Sequence, residues 1–473
     1  MMLEITGSRI LAPFLGTSTF VWTSLIGIIL ASLSLGYHLG GKLSDKKPSL
    51  KTLSSIIFLS ALLIALTAIF HGEILRQIEL LVPDLRLAAS ISAIVLFTPA
   101  SVFLGMISPY TVRLKMTSIK HSGETVGNLY AISTIGSIVG TFLTGFFLLA
   151  YIGSTSLLFL LSLIMVGLSF ALTPHKHKIF VFLFTCLYLG SFQIQKLEAA
   201  EHGYFDLDSD YNHIKIFPNT DRSTGKDILT LSLSKNNSSA MFLENEDLVF
   251  SYTMYYHLAH HFNPELKNTL MIGGGAYSFP KNFLEVHPEA TIDVVEIDPR
   301  LTELATEYFR LESTPRLQSF HEDGRAFLNH NEKFYDAIFI DAFQGSYAIP
   351  HHLTTTEAVA KMASSLNDDG VLLVNVISKL EGEGSEFLQA EYRTFKEHFP
   401  RVEIFAVRSQ NRPDMLQNFM LVAFKSPKEP IWESKDALLN KFLQKRYKKA
   451  VPTELPILTD DFAPVDHYVM KLL

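Results

Sequence analysis

The sequence predicts a two-part chain: an all-α transmembrane bundle, then an open α/β sheet with a small β-domain ahead of it. Three observations point there. Hydrophobic residues make up 48% of the 473 positions and charged ones 18%, and in the first two hundred positions charge is sparse outside short loops. That half divides into apolar runs of membrane-spanning length. The remainder alternates strand-length apolar runs with helical patterns, and several of the runs end on glycines or carboxylates. Strand, glycine turn, helix, strand, acid is the grammar of a Rossmann-like nucleotide-binding unit.

In chain order, the candidate spans are Leu11 to Tyr37, Leu53 to Phe70, Leu87 to Ile107, Val126 to Tyr151, Ser154 to Leu172 and Ile179 to Phe192. Such a succession with minimal loops suits a bilayer, where each helix satisfies its own backbone polar groups. Gly136 with Gly140, and Thr141 with Gly145, set small residues four apart, a pattern that lets helices pack closely. Basic residues gather in alternate loops: Lys42, Lys46, Lys47 and Lys51, then Arg113, Lys115 and Lys120, then Lys176 and Lys178. Positive-inside counting makes these loops cytoplasmic and, with simple alternation, leaves the C-terminal half outside. Supply of a nucleoside ligand argues for the cytosol. The expectation is a multi-pass protein of the inner cell membrane with a cytosolic soluble half, against the positive-inside count. The first run is long and has no small-residue cleavage pattern, so no cleavable signal is expected.

The expected domains are a transmembrane helical domain at 1–198, a small β-strand domain at 199–245 and a Rossmann-like catalytic domain at 246–473. In the small domain, Tyr211 to Phe217 and Asp227 to Ser234 read as strands around a turn at Thr224-Gly225-Lys226. Leu248 to Phe262 reads as a helix rich in tyrosine and histidine. His257 and His261 lie four apart, as metal ligands on a helix do, but no acid motif accompanies them. Aromatic packing and substrate contact is the preferred reading, and no metal is expected. Seven strands follow: Leu270–Ile272, Ile292–Ile297, Leu317–Phe320, Ala337–Ile340, Val371–Val376, Val402–Val407 and Phe419–Phe424, the last two as a hairpin.

The candidate site follows from that grammar. Gly273, Gly274 and Gly275 end the first strand and let backbone approach a ligand. Glu296, about 21 residues past Gly275, stands where such folds bind ribose hydroxyls. Asp323 with Gly324, and Asp341, end the next two strand-like runs. A net charge of -7 and the absence of a basic stripe argue against nucleic acid. The single Cys186 excludes an intramolecular disulfide and a cysteine-based metal site.

These residues resemble spermidine synthase and other polyamine aminopropyltransferases. The resemblance rests on Tyr211-Asn212, Gly273 to Gly275, Val295-Glu296-Ile297-Asp298, Asp323-Gly324-Arg325 and Tyr335-Asp336 through Asp341. The whole chain looks like the bacterial multi-spanning membrane-fused members, through Gly7 to Pro13, Val21-Trp22-Thr23, Gly36-Tyr37 and Leu458 to Val465. The resemblance implies the sheet shared by S-adenosylmethionine-dependent methyltransferases and spermidine synthase. It assigns Glu296 to the ribose, Asp323 and Gly324 to adenine, and the glycine loop to the sulfonium side. Asn212 and Ile297 fall in matching motifs and are expected near the nucleoside, and Asp341 is the first acid of the active-site loop. S-adenosylmethionine or its decarboxylated form is expected as substrate, with no other cofactor.

Three departures change the chemistry expected, one of them near Thr253, where a glutamate expected in the helix before the sheet is replaced. The family's aspartate after the third glycine is Ala276 here, followed by Tyr277, and the loop Asp341-Ala342-Phe343-Gln344-Gly345-Ser346 lacks a second acid. Burying a dicationic diamine without carboxylates is costly. Intact S-adenosylmethionine carries its own ionised nucleophile, a carboxylate that attacks the γ-carbon to give homoserine lactone and methylthioadenosine. A lyase is therefore the leading expectation, with Asp341 steadying the ammonium and Tyr277, Tyr347 or His351 shaping the pocket. Asp460 and Asp461 are the acids able to restore an aminopropyltransferase, the alternative. A methyltransferase and a non-catalytic nucleoside sensor or transporter are further alternatives. The partners expected are the lipid bilayer and a small-molecule nucleoside, and a homo-oligomer stays open.

Overall fold

The structure is a computed structural model that describes residues 1–116, 122–173, 205–234, 236–342 and 350–472, with isolated positions between 179 and 197. It divides into two units, Met1–Ile214 and Lys215–Leu473.

The first unit is helical. The run expected as one span from Leu11 to Tyr37 is two helices, α1 (Met2–Leu15) and α2 (Thr19–Lys46). Pro13 removes a backbone donor in the last turn of α1, and Gly16 leaves the helix at φ +75°, a conformation glycine tolerates. Gly16-Thr17-Ser18 carries no charge, so hydropathy alone passes over the break. The bundle continues with α3 (Leu50–Leu81), α4 (Leu85–Lys115) and α5 (Ser122–Leu143). A π-turn at Thr144–Leu148 leads into α6 (Leu149–Ile152) and α7 (Ser154–Leu172). Among the described residues, five helices are long and apolar enough to cross a membrane: α2, α3, α4, α5 with its π-turn, and α7. The sixth expected span, Ile179 to Phe192, lies largely outside the described residues.

Small residues do bring helices together, at positions other than those expected. Gly136 and Gly145 face open space, and Gly140 meets only the side chain of Met2. The close approach is between α2 and α4. A Cβ on Gly40 would sit 2.6 Å from Met106 Cα, and one on Gly105 would sit 2.6 Å from the Leu33 carbonyl oxygen. Polar groups inside the bundle pair across helices: Ser162 donates to the Ala61 carbonyl at 2.8 Å and Thr67 to that of Leu96 at 2.8 Å. Gly105→Val is expected to force α2 and α4 apart at a cost of about 1–3 kcal/mol or more. Size-exclusion of the detergent-solubilised protein should show loss of the monodisperse peak, while Gly136→Val leaves it unchanged.

The second unit holds the last two strands of a small antiparallel sheet and the whole of a large mixed one. β1 (Phe205–Asp208) lies in the first unit, and β2 (His213–Thr220) crosses the division. β3 (Asp227–Leu233) pairs antiparallel with β4 (Asn236–Phe242). β1 and β4 are additions to the sequence reading. Asn-Asn-Ser-Ser has low strand propensity, and β4 forms because its partner β3 supplies the apolar face. The helix expected over Leu248 to Phe262 is shorter, a 3₁₀ turn at Thr253–His257 running into a helix at Leu258–Phe262.

The large sheet comprises β5 (Asn268–Ile272), β6 (Thr291–Val295), β7 (Leu317–Phe320), β8 (Tyr335–Ile340), β9 (Leu366–Ser378), β10 (Arg401–Ala406) and β11 (Gln417–Phe424). Their order is β10-β11-β9-β8-β5-β6-β7. β5 to β9 pair in parallel, and β11 inserts antiparallel between β9 and β10. Successive residues feed opposite cores: Ile338, Ile340 and Leu372 face one, Ala337, Phe339 and Leu373 the other. Both faces are covered, which is why the central strands read as continuous apolar runs. The strand order changes direction between β5 and β8, and the crevice at their carboxyl ends is where such sheets bind ligands.

Candidate active site

The site grows from the end of β5. Gly273 takes φ +94° and donates its N–H to the Val295 carbonyl at 2.8 Å. A Cβ there would lie 2.7 Å from the Asp341 carbonyl carbon, so the turn closes against the start of the next loop. Gly275 takes φ +53° and would meet Ser239 Oγ at 2.7 Å. Ser239, from β4, also accepts the Ala276 N–H at 3.1 Å. The small sheet therefore buttresses the glycine loop.

Glu296 holds the loop from beneath. One carboxylate oxygen accepts the N–H groups of Gly274 at 2.9 Å and Gly275 at 3.0 Å, and the other accepts that of Asp298 at 3.0 Å. Burial pushes its pKa up, against the pull of these three donors. Each carboxylate oxygen offers about two lone pairs, so the second oxygen, with one donor, has capacity for a further hydrogen bond. Ile297 is half-buried between Glu296 and Asp298. Tyr277, in the left-handed region at φ +58°, is wholly buried, its hydroxyl 2.8 Å from Thr302 Oγ1 and 3.1 Å from Ser319 Oγ. It anchors the loop to the sheet.

Asp341 lies just past β8 and is half-buried. It accepts from the Tyr252 hydroxyl at 2.9 Å and from Asn375 Nδ2 at 3.0 Å, and Asn418 Nδ2 donates in turn to Asn375 Oδ1 at 2.9 Å. Removal from water raises its pKa to about 6, and the Asn375 and Tyr252 hydrogen bonds limit the rise. Asp341 is thus a carboxylate poised near neutrality and oriented by three polar side chains. Asn375 was legible in principle, as a lone amide within the apolar Val371–Val376 run. Tyr252 was hidden among neighbouring tyrosines, and nothing local marks Asn418.

Asp323 caps the helix Gly324–His330, accepting from Arg325 N at 2.8 Å and Ala326 N at 3.0 Å. Its other oxygen lies 3.0 Å from His352 Nε2. Gly324 is required by the approach of this helix to β5, since a Cβ would lie 2.5 Å from Ile272 Cγ2. Asp460 is committed elsewhere. It bonds Arg325 at 2.8 Å and Thr355 Oγ1 at 2.6 Å, so it pins the tail to the first turns of the helices Gly324–His330 and Thr356–Ser364. Asp461 is exposed. Asn212 belongs to the first unit, in a turn where its N–H donates to Ser209 Oγ at 2.9 Å. Tyr347 lies outside the described residues. His257 and His261 do not converge: His257 Nε2 meets Asn282 Oδ1 at 2.8 Å and His261 Nε2 meets the Ile431 carbonyl at 2.8 Å.

Sheet order, glycine loop and acid-ended strands define the class, an α/β unit of the methyltransferase and spermidine synthase type. Comparison with known proteins narrows it. Residues 249–431 match the spermine/spermidine synthase domain, and over that stretch the chain is spermidine-synthase-like. A polyamine aminopropyltransferase of Vibrio vulnificus is 36% identical over 120 residues, which span 25% of this chain and only 40% of that protein. One from Lachnospira eligens is 27% identical over 243 residues, 50% of this chain and 81% of that protein. Among solved structures, a probable spermidine synthase from Corynebacterium glutamicum aligns with a TM-score of 0.42 at 21% identity, covering 49% of this chain and 83% of that one. Spermidine synthase from Thermotoga maritima aligns with a TM-score of 0.39 at 19% identity, covering 57% and 83%.

Proposed function

We propose that the chain is a membrane-anchored aminopropyltransferase that moves the aminopropyl group of decarboxylated S-adenosylmethionine to an aliphatic amine. This reverses the order of the two readings favoured by the sequence. Its main support is Asp341, a carboxylate near neutrality held between Tyr252 and Asn375 at the end of β8. A neutral amine nitrogen attacks the aminopropyl carbon bonded to sulfur. The C–N bond forms, the C–S bond breaks, and its electron pair leaves with sulfur as methylthioadenosine. The proton shed by the new ammonium passes to Asp341, which is ionised above its raised pKa. Glu296 and Asp323 take the ribose and adenine. The apolar helices of the first unit hold the protein in the inner membrane as a multi-pass anchor.

One observation favours a second reading. Ala276, where the family has an aspartate, is buried and offers no carboxylate to the donor's amine. That suits intact S-adenosylmethionine and its intramolecular lactonisation. The test is mass spectrometry of products from the detergent-purified chain. Decarboxylated donor with putrescine is expected to give spermidine and methylthioadenosine in equal amounts. Homoserine lactone from S-adenosylmethionine alone, with no spermidine in the first assay, would replace transfer by lyase chemistry.

A further inference from the structure

The polar contacts inside the first unit give each helix of the bundle a direction. At one end, Ser49 N donates to Tyr110 Oη at 3.1 Å, Arg113 Nε lies 3.3 Å from Asp45 Oδ1, and Ser54 Oγ donates to the Ser169 carbonyl at 2.7 Å. This end gathers the C-termini of α2, α4 and α7 and the N-terminus of α3. At the other end, Ser24 Oγ and Ser90 Oγ lie 3.2 Å apart and the Arg86 guanidinium sits 4.6 Å over the Phe20 ring, which joins the N-termini of α2 and α4. α7 runs antiparallel to α3, since Ser169 meets Ser54 and Ser162 meets Ala61. Its 19 residues rise about 28 Å, close to the thickness of a hydrocarbon core, so Ser154 stands at this second end.

The stretch that leads out of the first unit is seated on the second end. Asp208 Oδ2 accepts the Ser154 N–H at 2.8 Å and its hydroxyl at 2.9 Å, which places a carboxylate on the N-terminus of α7. Asp208 Oδ1 lies 2.6 Å from His213 Nδ1, and its charge also acts on His71, in the C-terminal half of α3. Arg9 of α1 donates to the Asp210 carbonyl. All of these residues belong to the first unit. Ile214 then runs directly into Lys215 within β2, which leaves no length for a crossing. Among the described residues beyond that point, no helix is long and apolar enough to return through a bilayer.

Charge tells the two ends apart. The first carries Lys42, Lys46, Lys47, Lys51, Arg113 and Lys115, and the second Arg9, Arg76 and Arg86. The end richer in lysine and arginine stays in the cytoplasm. We infer that the chain enters its second unit on the extracytoplasmic side of the inner membrane, and that the candidate active site takes its ligands from that compartment. This reverses the cytosolic expectation, which rested on ligand supply alone. The inference goes beyond the transferase reading and does not depend on it. With both in force, an export step must deliver the donor, because a sulfonium nucleoside carries a permanent charge that hydrocarbon excludes.

The test is cysteine accessibility in intact bacterial cells making the full chain. Cys186→Ser removes its one cysteine. A single cysteine is then returned as Lys435→Cys in the second unit or as Pro48→Cys between α2 and α3, both exposed positions. A small charged maleimide, unable to pass hydrocarbon, is expected to label Lys435→Cys at least about tenfold more than Pro48→Cys, and the two equally once the inner membrane is permeabilised. The reverse ratio puts the second unit in the cytosol and overturns the inference. Equal labelling in intact cells means two orientations and overturns it as well. Protease added to spheroplasts reads the unsubstituted chain: the second unit should be cut before lysis, and cutting only after lysis overturns the inference without any variant. Spermidine formation by the detergent-purified chain is read separately, so the sidedness and the transferase reading fail independently.

Discussion

Asp341→Asn is expected to lower aminopropyl transfer by about 10²–10⁴-fold, the usual contribution of a positioned general base. The substitution is nearly isosteric. Its oxygen still accepts from Asn375, and its amide can donate to the Tyr252 hydroxyl, so binding of methylthioadenosine should be retained. In the wild type the rate should rise as pH passes through about 6, because the carboxylate accepts a proton only when ionised. The effect on stability has the opposite sign. A carboxyl whose folded pKa lies above its unfolded value binds more protons in the native state between the two, so its contribution falls as pH rises through that window. Moving from the ordinary 3.8 to about 6 costs up to roughly 3 kcal/mol once ionised. Asp341→Asn should therefore melt higher than wild type at pH 8, with the gap closing toward pH 4. A variant less active and less stable at pH 8 would place Asp341 in a structural role.

How much of this was legible follows the range of the interactions. The glycine loop and the acid-ended strands are local patterns, and each strand the sequence proposed in the large sheet is present within a few residues. The insertion of β11 between β9 and β10 is not local, since it depends on register between segments dozens of residues apart. The network around Asp341 divides in the same way. The carboxylate stands in a recognisable motif, whereas Tyr252, Asn375 and Asn418 come from three distant segments that only the fold brings together. Asp460 shows the same limit from the other side. An acid in a family-like block looked available for chemistry, and its partner Arg325, 135 positions away, was invisible in the sequence. The helix break at Gly16 escaped because hydropathy measures transfer to lipid and is blind to φ.

Glu296→Ala should have the largest effect on the folded unit. The carboxylate is the shared acceptor for Gly274, Gly275 and Asp298, and its removal leaves three backbone donors unsatisfied in a buried turn. At about 1–3 kcal/mol for each donor left without water, the loss is of order 3 kcal/mol or more, reduced by relief of burying the acid. Loss of the proposed ribose acceptor should weaken methylthioadenosine by a further 10–100-fold or so. Glu296→Gln separates the two roles. Its amide oxygen can still accept from Gly274 and Gly275, but its NH₂ then faces the Asp298 N–H, donor against donor. Stability of Glu296→Gln should fall between wild type and Glu296→Ala. Burial has raised the Glu296 pKa, so the ionised form is the costly one, and the wild-type contribution falls as pH rises through the folded pKa. The stability deficit of Glu296→Gln should therefore be smaller at pH 8 than at pH 5. Thermal melts of the three proteins at both pH values, with and without methylthioadenosine, measure each part. If Glu296→Ala melts with wild type but fails to bind the nucleoside, the carboxylate serves the ligand alone and the loop stands without it.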